Sequence, residues 1–203
     1  MLLQGNQGQT GKAVGQNLTL GFGEFSDGMV TELMARYYEN TYRGNTFIAS
    51  LTAAGALSLT GTTTYTGLAV YIPAGSGKNL VLKTAMFVPT IVATGIYAVM
   101  LFSQPYAAAP PAGATVIPVN ANLGSGASSV ARIATSATLA ANPVFLRPLY
   151  GFGWITAVAQ NAISYKDEIA GEIIVPPGSG VGFVALTTAI TGLAYLSWDE
   201  IPI

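Results

Sequence analysis

The chain has 203 residues, with 8 basic residues, 9 acidic residues, no cysteine and no histidine. These absences exclude Cys/His metal sites, thiol nucleophiles, Ser-His-Asp triads and disulfides, and we expect no catalytic residue, metal or cofactor. Only 8% of the residues are charged, against about 25% in ordinary domains. We therefore expect copies of the chain or a larger assembly to cover much of its surface. A net charge of -1 gives no field to attract nucleic acid or an anionic membrane.

Residues 1–25 are rich in Gly, Gln and Asn, which predicts an extended arm without a core, and no signal peptide is expected there. Ser26-Asp27 offers a helix N-cap and Gly44 a helix stop, with an apolar stripe between them. Glu39 and Arg43 form an i,i+4 pair, as do two residues two turns earlier, Glu32 and Arg36. Residues 1–45 are therefore predicted to be an arm and one short helix, which either covers an open end of the β domain or docks onto another subunit.

From residue 46 to residue 203, short apolar runs alternate with Gly, Pro and Asn turn signals, which predicts one all-β sandwich or barrel. The predicted strands are Thr46–Thr52, Ala56–Leu59, Leu68–Ile72, Leu80–Val88, Ile91–Ser103, Thr115–Val119, Ser129–Ala134, Val144–Gln160, Ile169–Val175, Val181–Thr188 and Leu193–Asp199. Loops are expected at 107–114 and 120–129. Residues 85–103 are long enough to span a membrane, but Pro89 and their β-branched residues favour two strands broken at Pro89-Thr90. In the run from Val144, Pro148 and Gly151 favour a bulge or bend.

Two segments share one pattern: an apolar strand, a proline, Gly-Ser-Gly and a second apolar strand. They are Thr66–Lys83 and Ile169–Leu186. Pro73 and Pro176 should each end a strand, because proline cannot donate to the ladder. Gly75/Gly77 and Gly178/Gly180 should supply the positive φ of a tight reversal.

The charges are unevenly distributed along the chain. No acidic residue occurs between Glu39 and Asp167. Four basic residues that lie in this interval are Lys78, Lys83, Arg132 and Arg147. Either these bases are solvated, or they meet acids of a neighbouring subunit such as Asp167, Glu168 or Glu172. The pairs Asp167-Glu168 and Asp199-Glu200 are expected to be solvated rim charges, because sequential residues of a strand point to opposite faces and do not form an acid/base couple.

Three stretches carry a resemblance to a known class of protein: Arg36–Ser50, Thr66–Leu82 and the ending that contains Ile174–Ser179 and Ser197–Pro202. In these stretches the chain resembles small virion structural proteins of tailed bacteriophages, grouped with head decoration or cement proteins. The resemblance implies a jelly-roll-like antiparallel β-sandwich, trimers on a capsid surface, and no catalytic residues.

The leading hypothesis is therefore a non-enzymatic capsid decoration protein that forms a homotrimer and contacts the major capsid protein. Neither nucleic acid nor a membrane is expected as a partner. The candidate interface residues are Leu33, Arg36, Tyr37, Tyr38, Tyr42, Arg132, Arg147 and Trp198. The alternative is a tail-associated receptor- or glycan-binding module. It would use the two loops and a platform of aromatic residues: Tyr37, Tyr38, Tyr42, Tyr65, Tyr71, Tyr150 and Trp154. An enzyme is the least favoured reading.

Overall fold

The computed structural model describes residues 4–6, 17–19, 37–58, 63–91, 96–104, 116–139, 141–153, 164–186 and 188–203. The strands are β1 (Gln4–Asn6), β2 (Asn17–Thr19), β3 (Thr46–Ser50), β4 (Gly55–Ala56), β5 (Thr64–Ile72), β6 (Lys78–Ile91), β7 (Ile96–Gln104), β8 (Val119–Asn120), β9 (Arg132–Thr138), β10 (Val144–Gly153), β11 (Tyr165–Glu168), β12 (Ile174–Val175), β13 (Ser179–Leu186) and β14 (Thr191–Pro202). One short helix, α1, spans Tyr38–Tyr42.

Two antiparallel sheets form the sandwich. One sheet has the strand order β10-β7-β13-β5-β9. The other has the order β11-β6-β14-β3-β8, with β12 paired to β6 and β4 paired to β14. The first long strand, β3, pairs with the last, β14, and the same nesting continues inward through β5 with β13, β6 with β11, and β7 with β10. This nested winding is that of a jelly roll, with β8 and β9 as additions at the sheet edges. The predicted jelly-roll-like sandwich is therefore confirmed.

The core lies between the two sheets and follows the two-residue alternation of strands. On β5, Leu68, Val70 and Ile72 point into it. They face side chains of the other sheet such as Leu82 and Trp198. Trp198 stacks on Phe47 of the neighbouring strand, with ring centroids 6.5 Å apart. A smaller apolar cluster, which includes Tyr65, Phe102 and Val184, lies apart from this core.

The two repeated segments are not hairpins within one sheet. Pro73 and Pro176 each follow the last residue of a strand, as predicted, and Gly75, Gly77 and Gly178 have positive φ. However, β5 and β6 belong to different sheets, and so do β12 and β13. Each segment carries the chain from one sheet to the other. Its two strands pair with strands of the other segment, so both turns meet at one corner, where the Gly178 amide donates to Ile72 O at 2.8 Å.

Gly180 departs from the predicted pattern, because it lies inside β13 and is not among the residues with positive φ. Pro89 departs too. The strand β6 continues through it to Ile91 instead of breaking there. Pro89 is opposite Gly192 beside a register shift, and β11 pairs with β6 only as far as Phe87. The ladder therefore does not require an amide proton at Pro89.

The helix α1 ends as the sequence predicts. Gly44 has a φ of 74°, its amide donates to Thr41 O, and the Asn45 amide donates to Asn40 O. This pair of bonds is a Schellman motif, which glycine favours because it has no Cβ. The predicted ion pair between Glu39 and Arg43 is present at 2.6 Å. The predicted helix start at Ser26-Asp27 and the pair Glu32–Arg36 lie outside the described residues.

The chain divides into two compact units, residues 1–38 and residues 39–203. This division falls earlier than the predicted boundary after residue 45. Within the first unit, β1 and β2 pair antiparallel with Gln4 opposite Thr19, so part of the predicted arm is a two-stranded ladder. Residues 85–91 and 96–103 lie in strands, as favoured over a spanning helix, although without the predicted break at Pro89-Thr90. The described residues contain no helix long and apolar enough to cross a membrane.

Candidate functional site

Three of the four bases that the sequence analysis singled out pair with acids of this chain. Lys78 pairs with Glu200 at 3.1 Å, Lys83 with Asp199 at 3.2 Å, and Arg147 with both Asp167 and Glu172. For these three bases neither expectation is correct, since Lys83 is only 5% exposed and the acids belong to the same chain. Arg132 is exposed, which agrees with the expectation of a solvated base. The jelly roll brings the last strand beside β6, so residues more than 100 positions apart become neighbours.

Asp199 is at the centre of a buried polar cluster on the outer side of the seven-stranded sheet. Its Oδ1 accepts from Thr46 Oγ1 at 2.5 Å and from Lys83 Nζ at 3.2 Å. Its Oδ2 accepts from Asn40 Nδ2 at 2.8 Å. A register shift in the β6–β14 ladder pairs Ser197 with Thr84 and Trp198 with Leu82. Lys83 is therefore the extra residue of a β-bulge, which aims it at Asp199.

Glu200 points to the opposite face of β14 and is 0% exposed. Its carboxylate accepts from the hydroxyl of Ser129 at 2.5 Å and from the backbone amides of Val130 and Ala131 at 3.1 and 3.3 Å. Lys78 completes the group. The expectation that Asp199-Glu200 is a solvated rim pair is therefore wrong, although the two side chains do point to opposite faces. What the sequence could not show is that the segment before β9 brings amide donors to Glu200.

Arg147 joins the edges of the two sheets. Its Nε lies 3.1 Å from Asp167 Oδ2 and its Nη1 lies 2.7 Å from Glu172 Oε2. Beside it, the rings of Tyr150 and Tyr165 stack with centroids 3.8 Å apart. A depression of about 190 Å³ is lined by Arg147, Tyr165 and Asp167 among others, which is less than small-molecule sites usually offer. The group closes one side of the sandwich.

The edge strand β10 exposes consecutive apolar side chains. Val144, Phe145 and Leu146 are 52%, 42% and 43% exposed. The other edges are protected in the ways that natural sheets use. On β11 the residues after Tyr165 are charged, β8 has two residues, and β9 exposes Arg132, Ser136 and Thr138. Register shifts on either side of Arg147, one of them beginning at Pro148, interrupt the middle of β10, as the sequence indicated.

A fixed turn presents a second apolar side chain. Leu123 is 85% exposed at the tip of a turn in which Ser125 and Gly124 donate to Asn122. The turn is fastened to the end of α1, because Asn122 Nδ2 donates to Tyr42 O at 3.0 Å. Tyr42 itself is 61% exposed. The predicted loop at 120–129 is thus held by hydrogen bonds, whereas the predicted loop at 107–114 lies outside the described residues.

The structure places the predicted interface residues in different environments. Leu33 and Arg36 lie outside the described residues. Tyr38, Tyr42 and Arg132 are exposed, and Tyr37 and Arg147 are partly exposed. Trp198 is 0% exposed, so it fills the core and cannot contact another subunit, and its indole Nε1 has no hydrogen-bond partner among the described residues.

Three of the seven aromatic residues proposed as a sugar platform are buried. Tyr65, Tyr71 and Tyr150 are each less than 10% exposed, and Trp154 lies outside the described residues. Burial raises the pKa of the Tyr65 phenol above its ordinary value, although its hydrogen bond to Phe183 O acts in the opposite direction. Burial also raises the pKa of Tyr71, and the charge of nearby Arg132 partly offsets this.

The described residues contain no group of three or more carboxylate, thiol or imidazole side chains that could hold a metal ion. An open depression of about 330 Å³ on the outer face of the seven-stranded sheet is lined by apolar and small residues, with Tyr195 as its ionisable group: Ser50, Met86, Val88, Leu193, Ala194 and Tyr195. Such a lining can bury apolar surface, but it provides no acid/base pair.

No protein-family model matches the chain, and searches of curated proteins and of solved structures also found no match.

Proposed function

We propose that this chain is a non-enzymatic structural protein of a tailed-bacteriophage virion, a decoration or cement protein that reinforces the capsid from its outer surface. It acts as a homotrimer whose partner is the major capsid protein. The jelly roll is consistent with this proposal, but a fold does not by itself determine function. The support comes from how the molecule uses its few charges and where it leaves apolar side chains exposed.

The observation that carries the proposal is the apolar edge of β10. An exposed strand edge with apolar side chains favours association with another chain, and this edge carries Val144, Phe145 and Leu146. The charges that could have protected this edge, such as Arg147, are engaged within the chain. A second copy of this chain is the occupant we assign to this edge, since association through apolar side chains needs no ionic partner.

The turn around Leu123 is the part that we assign to the shell. A side chain that is 85% exposed on a hydrogen-bonded turn loses little conformational freedom on docking, because the turn is already ordered. Tyr42, at the end of α1, is fastened to the same turn and adds an exposed aromatic ring. Apolar and aromatic anchors of this kind commonly carry most of the energy of a protein interface.

Native mass spectrometry and light scattering of the purified chain, at low and high salt, test the oligomer. We expect a trimer that persists at high salt. Phe145→Asp should dissociate it, because one buried charge without a partner costs several kcal/mol. Ser136→Asp, at an exposed position of the polar edge strand β9, is the matched control and should leave the trimer intact. A monomer at all salt concentrations would refute the assignment of the β10 edge.

Binding to capsids tests the function itself. Purified protein should bind expanded shells that lack decoration, and Leu123→Asp should abolish binding while leaving the trimer intact. The receptor- or glycan-binding alternative predicts the opposite pattern, with specific signals on a glycan array and no affinity for shells. Turnover of any small molecule by the purified chain would contradict both proposals.

A further inference from the structure

The cluster around Asp199 brings an amine and a carboxamide onto one carboxylate, with Lys83 and Asp199 buried and Asn40 partly buried. Lys83 Nζ and Asn40 Nδ2 bond to different oxygens of the same carboxylate, at 3.2 and 2.8 Å. The side chains of Lys83 and Asp199 are 6% and 8% exposed. Thr46 Oγ1 lies 3.3 Å from Lys83 Nζ and 2.5 Å from Asp199 Oδ1. The cluster thus consists of an amine, a proton acceptor and a carboxamide.

A buried ion pair is a costly way to stabilise a fold. Apolar residues of similar size often do as well or better, so retention of the pair calls for another reason. The three groups come from α1, β6 and β14, which are far apart in sequence. The chain also contains no cysteine, so a disulfide cannot tie these elements together.

We propose that Lys83 and Asn40 form an intramolecular isopeptide bond, with Asp199 transferring the protons. Asp199 accepts a proton from the Lys83 ammonium group, and the neutral Nζ attacks Asn40 Cγ. The Cγ–Nζ bond forms and the Cγ–Nδ2 bond breaks. Asp199 returns this proton to Nδ2, then takes the second proton that Nζ loses on becoming an amide and passes it to the departing nitrogen, which leaves as ammonium. An ammonium group and a carboxamide become a secondary amide and an ammonium ion, so the step balances without an oxidant, reductant, metal or nucleotide.

The arrangement meets the first requirement of general acid/base transfer. A proton carrier should lie within about 2.6 to 3.2 Å of the group it serves, and Asp199 does so for both nitrogens. Because the two nitrogens bond to one carboxylate, the nucleophile and the acyl group are held around the same side chain, which removes part of the entropic cost of bringing them together. Burial of Lys83 and Asp199 also limits competing hydrolysis.

Asn40 is a better acyl donor here than Asp199 itself. Amide formation between Lys83 and Asp199 would need a second acid to protonate the departing oxygen. The nearest acid in sequence, Glu200, lies on the opposite face of β14, where Ser129 and two backbone amides hold it. The proposed bond would fasten α1 covalently to β6. It does not depend on a role in a virion.

Intact-mass spectrometry of the unfolded full-length chain, after incubation of the folded protein at neutral pH, tests the bond. We expect a mass lower than the sequence mass by about 17 Da, the mass of one ammonia. Trypsin should then fail to cleave after Lys83, because an acylated lysine is not a substrate. The digest should contain residues 79–132 joined to residues 37–43. Lys83→Arg keeps the cation but removes the primary amine, and should retain the full mass.

Three results would contradict the proposed bond, and mass spectrometry distinguishes them. Cyclisation of an asparagine with its own backbone also releases ammonia, but this would persist in Lys83→Arg and would leave Lys83 cleavable, which would overturn the proposal. A loss of about 18 Da with residues 167–203 in the linked peptide would identify Asp199 as the acyl donor and overturn the role of Asn40. Full mass in the folded wild-type protein would overturn the bond altogether.

Discussion

Glu200 offers a graded test of what holds the end of the sandwich closed. It is fully buried and accepts hydrogen bonds from Ser129 Oγ and from the amides of Val130 and Ala131, whereas its ionic partner Lys78 is 30% exposed on its side chain. Glu200→Met keeps the volume but leaves these donors without an acceptor. At roughly 1 kcal/mol or more for each donor, the cost is about 3 kcal/mol. For a chain of this size the Tm should fall by roughly 6 to 12 °C.

Two further variants divide this cost between charge and hydrogen bonding. Glu200→Gln keeps one carbonyl oxygen for the donors around Oε1 and should cost about 1 to 2 kcal/mol, the difference between charged and neutral acceptors. Lys78→Met should cost less than about 1 kcal/mol, because the Lys78 side chain is 30% exposed and partly screened by solvent, while Ser129 and the two backbone amides still bond to Glu200. Urea unfolding with a common m-value gives the three free energies. If Lys78→Met were as costly as Glu200→Met, the ion pair and not the amide donors would hold this segment, and the reasoning would fail.

Three other predictions concern ionisation, packing and the surface. The pKa of Tyr65 is raised in the folded state, so its contribution to stability is complete below the unfolded pKa of about 10 and is lost as the pH rises above that value. Tyr65→Phe should cost about 1 kcal/mol at pH 7 and should reduce the loss of stability at alkaline pH. Urea unfolding at a series of pH values measures both effects. Gly182→Ala should destabilise the fold by about 1 to 3 kcal/mol, because its Cβ would lie 2.7 Å from the Ala69 Cβ. The control is Gly126→Ala, whose Cβ would have no atom within 4 Å and which should change the stability measured by thermal unfolding by less than about 0.5 kcal/mol. Arg147→Met should cost less than about 1 kcal/mol in denaturant unfolding, since its ion pairs are partly exposed, and a larger loss would contradict that reading.

Local sequence was sufficient for the features that depend on one residue and its neighbours. Proline after Ile72 and after Val175 ends a strand, because the Gly-Ser-Gly run that follows each proline also favours a turn, and Gly44 stops a helix because it tolerates positive φ. The alternation of Leu68, Val70 and Ile72 likewise identifies a strand and the side chains that face the core between the sheets. These features depend on backbone sterics and on the spacing of apolar side chains, so the local sequence predicts them without knowledge of distant contacts.

The tertiary structure decided everything that depends on a partner distant in sequence. The repeated segments look like hairpins, yet each crosses between the sheets, because their strands pair with one another across the corner and not within each segment. Asp199 and Glu200 look like surface charges, yet the bulge at Lys83 and the amides before β9 bury and satisfy them. Composition and period determine that this chain is an all-β domain poor in charge. Which charge meets which, and which strand edge remains apolar and exposed, follows only from the order in which the strands pair.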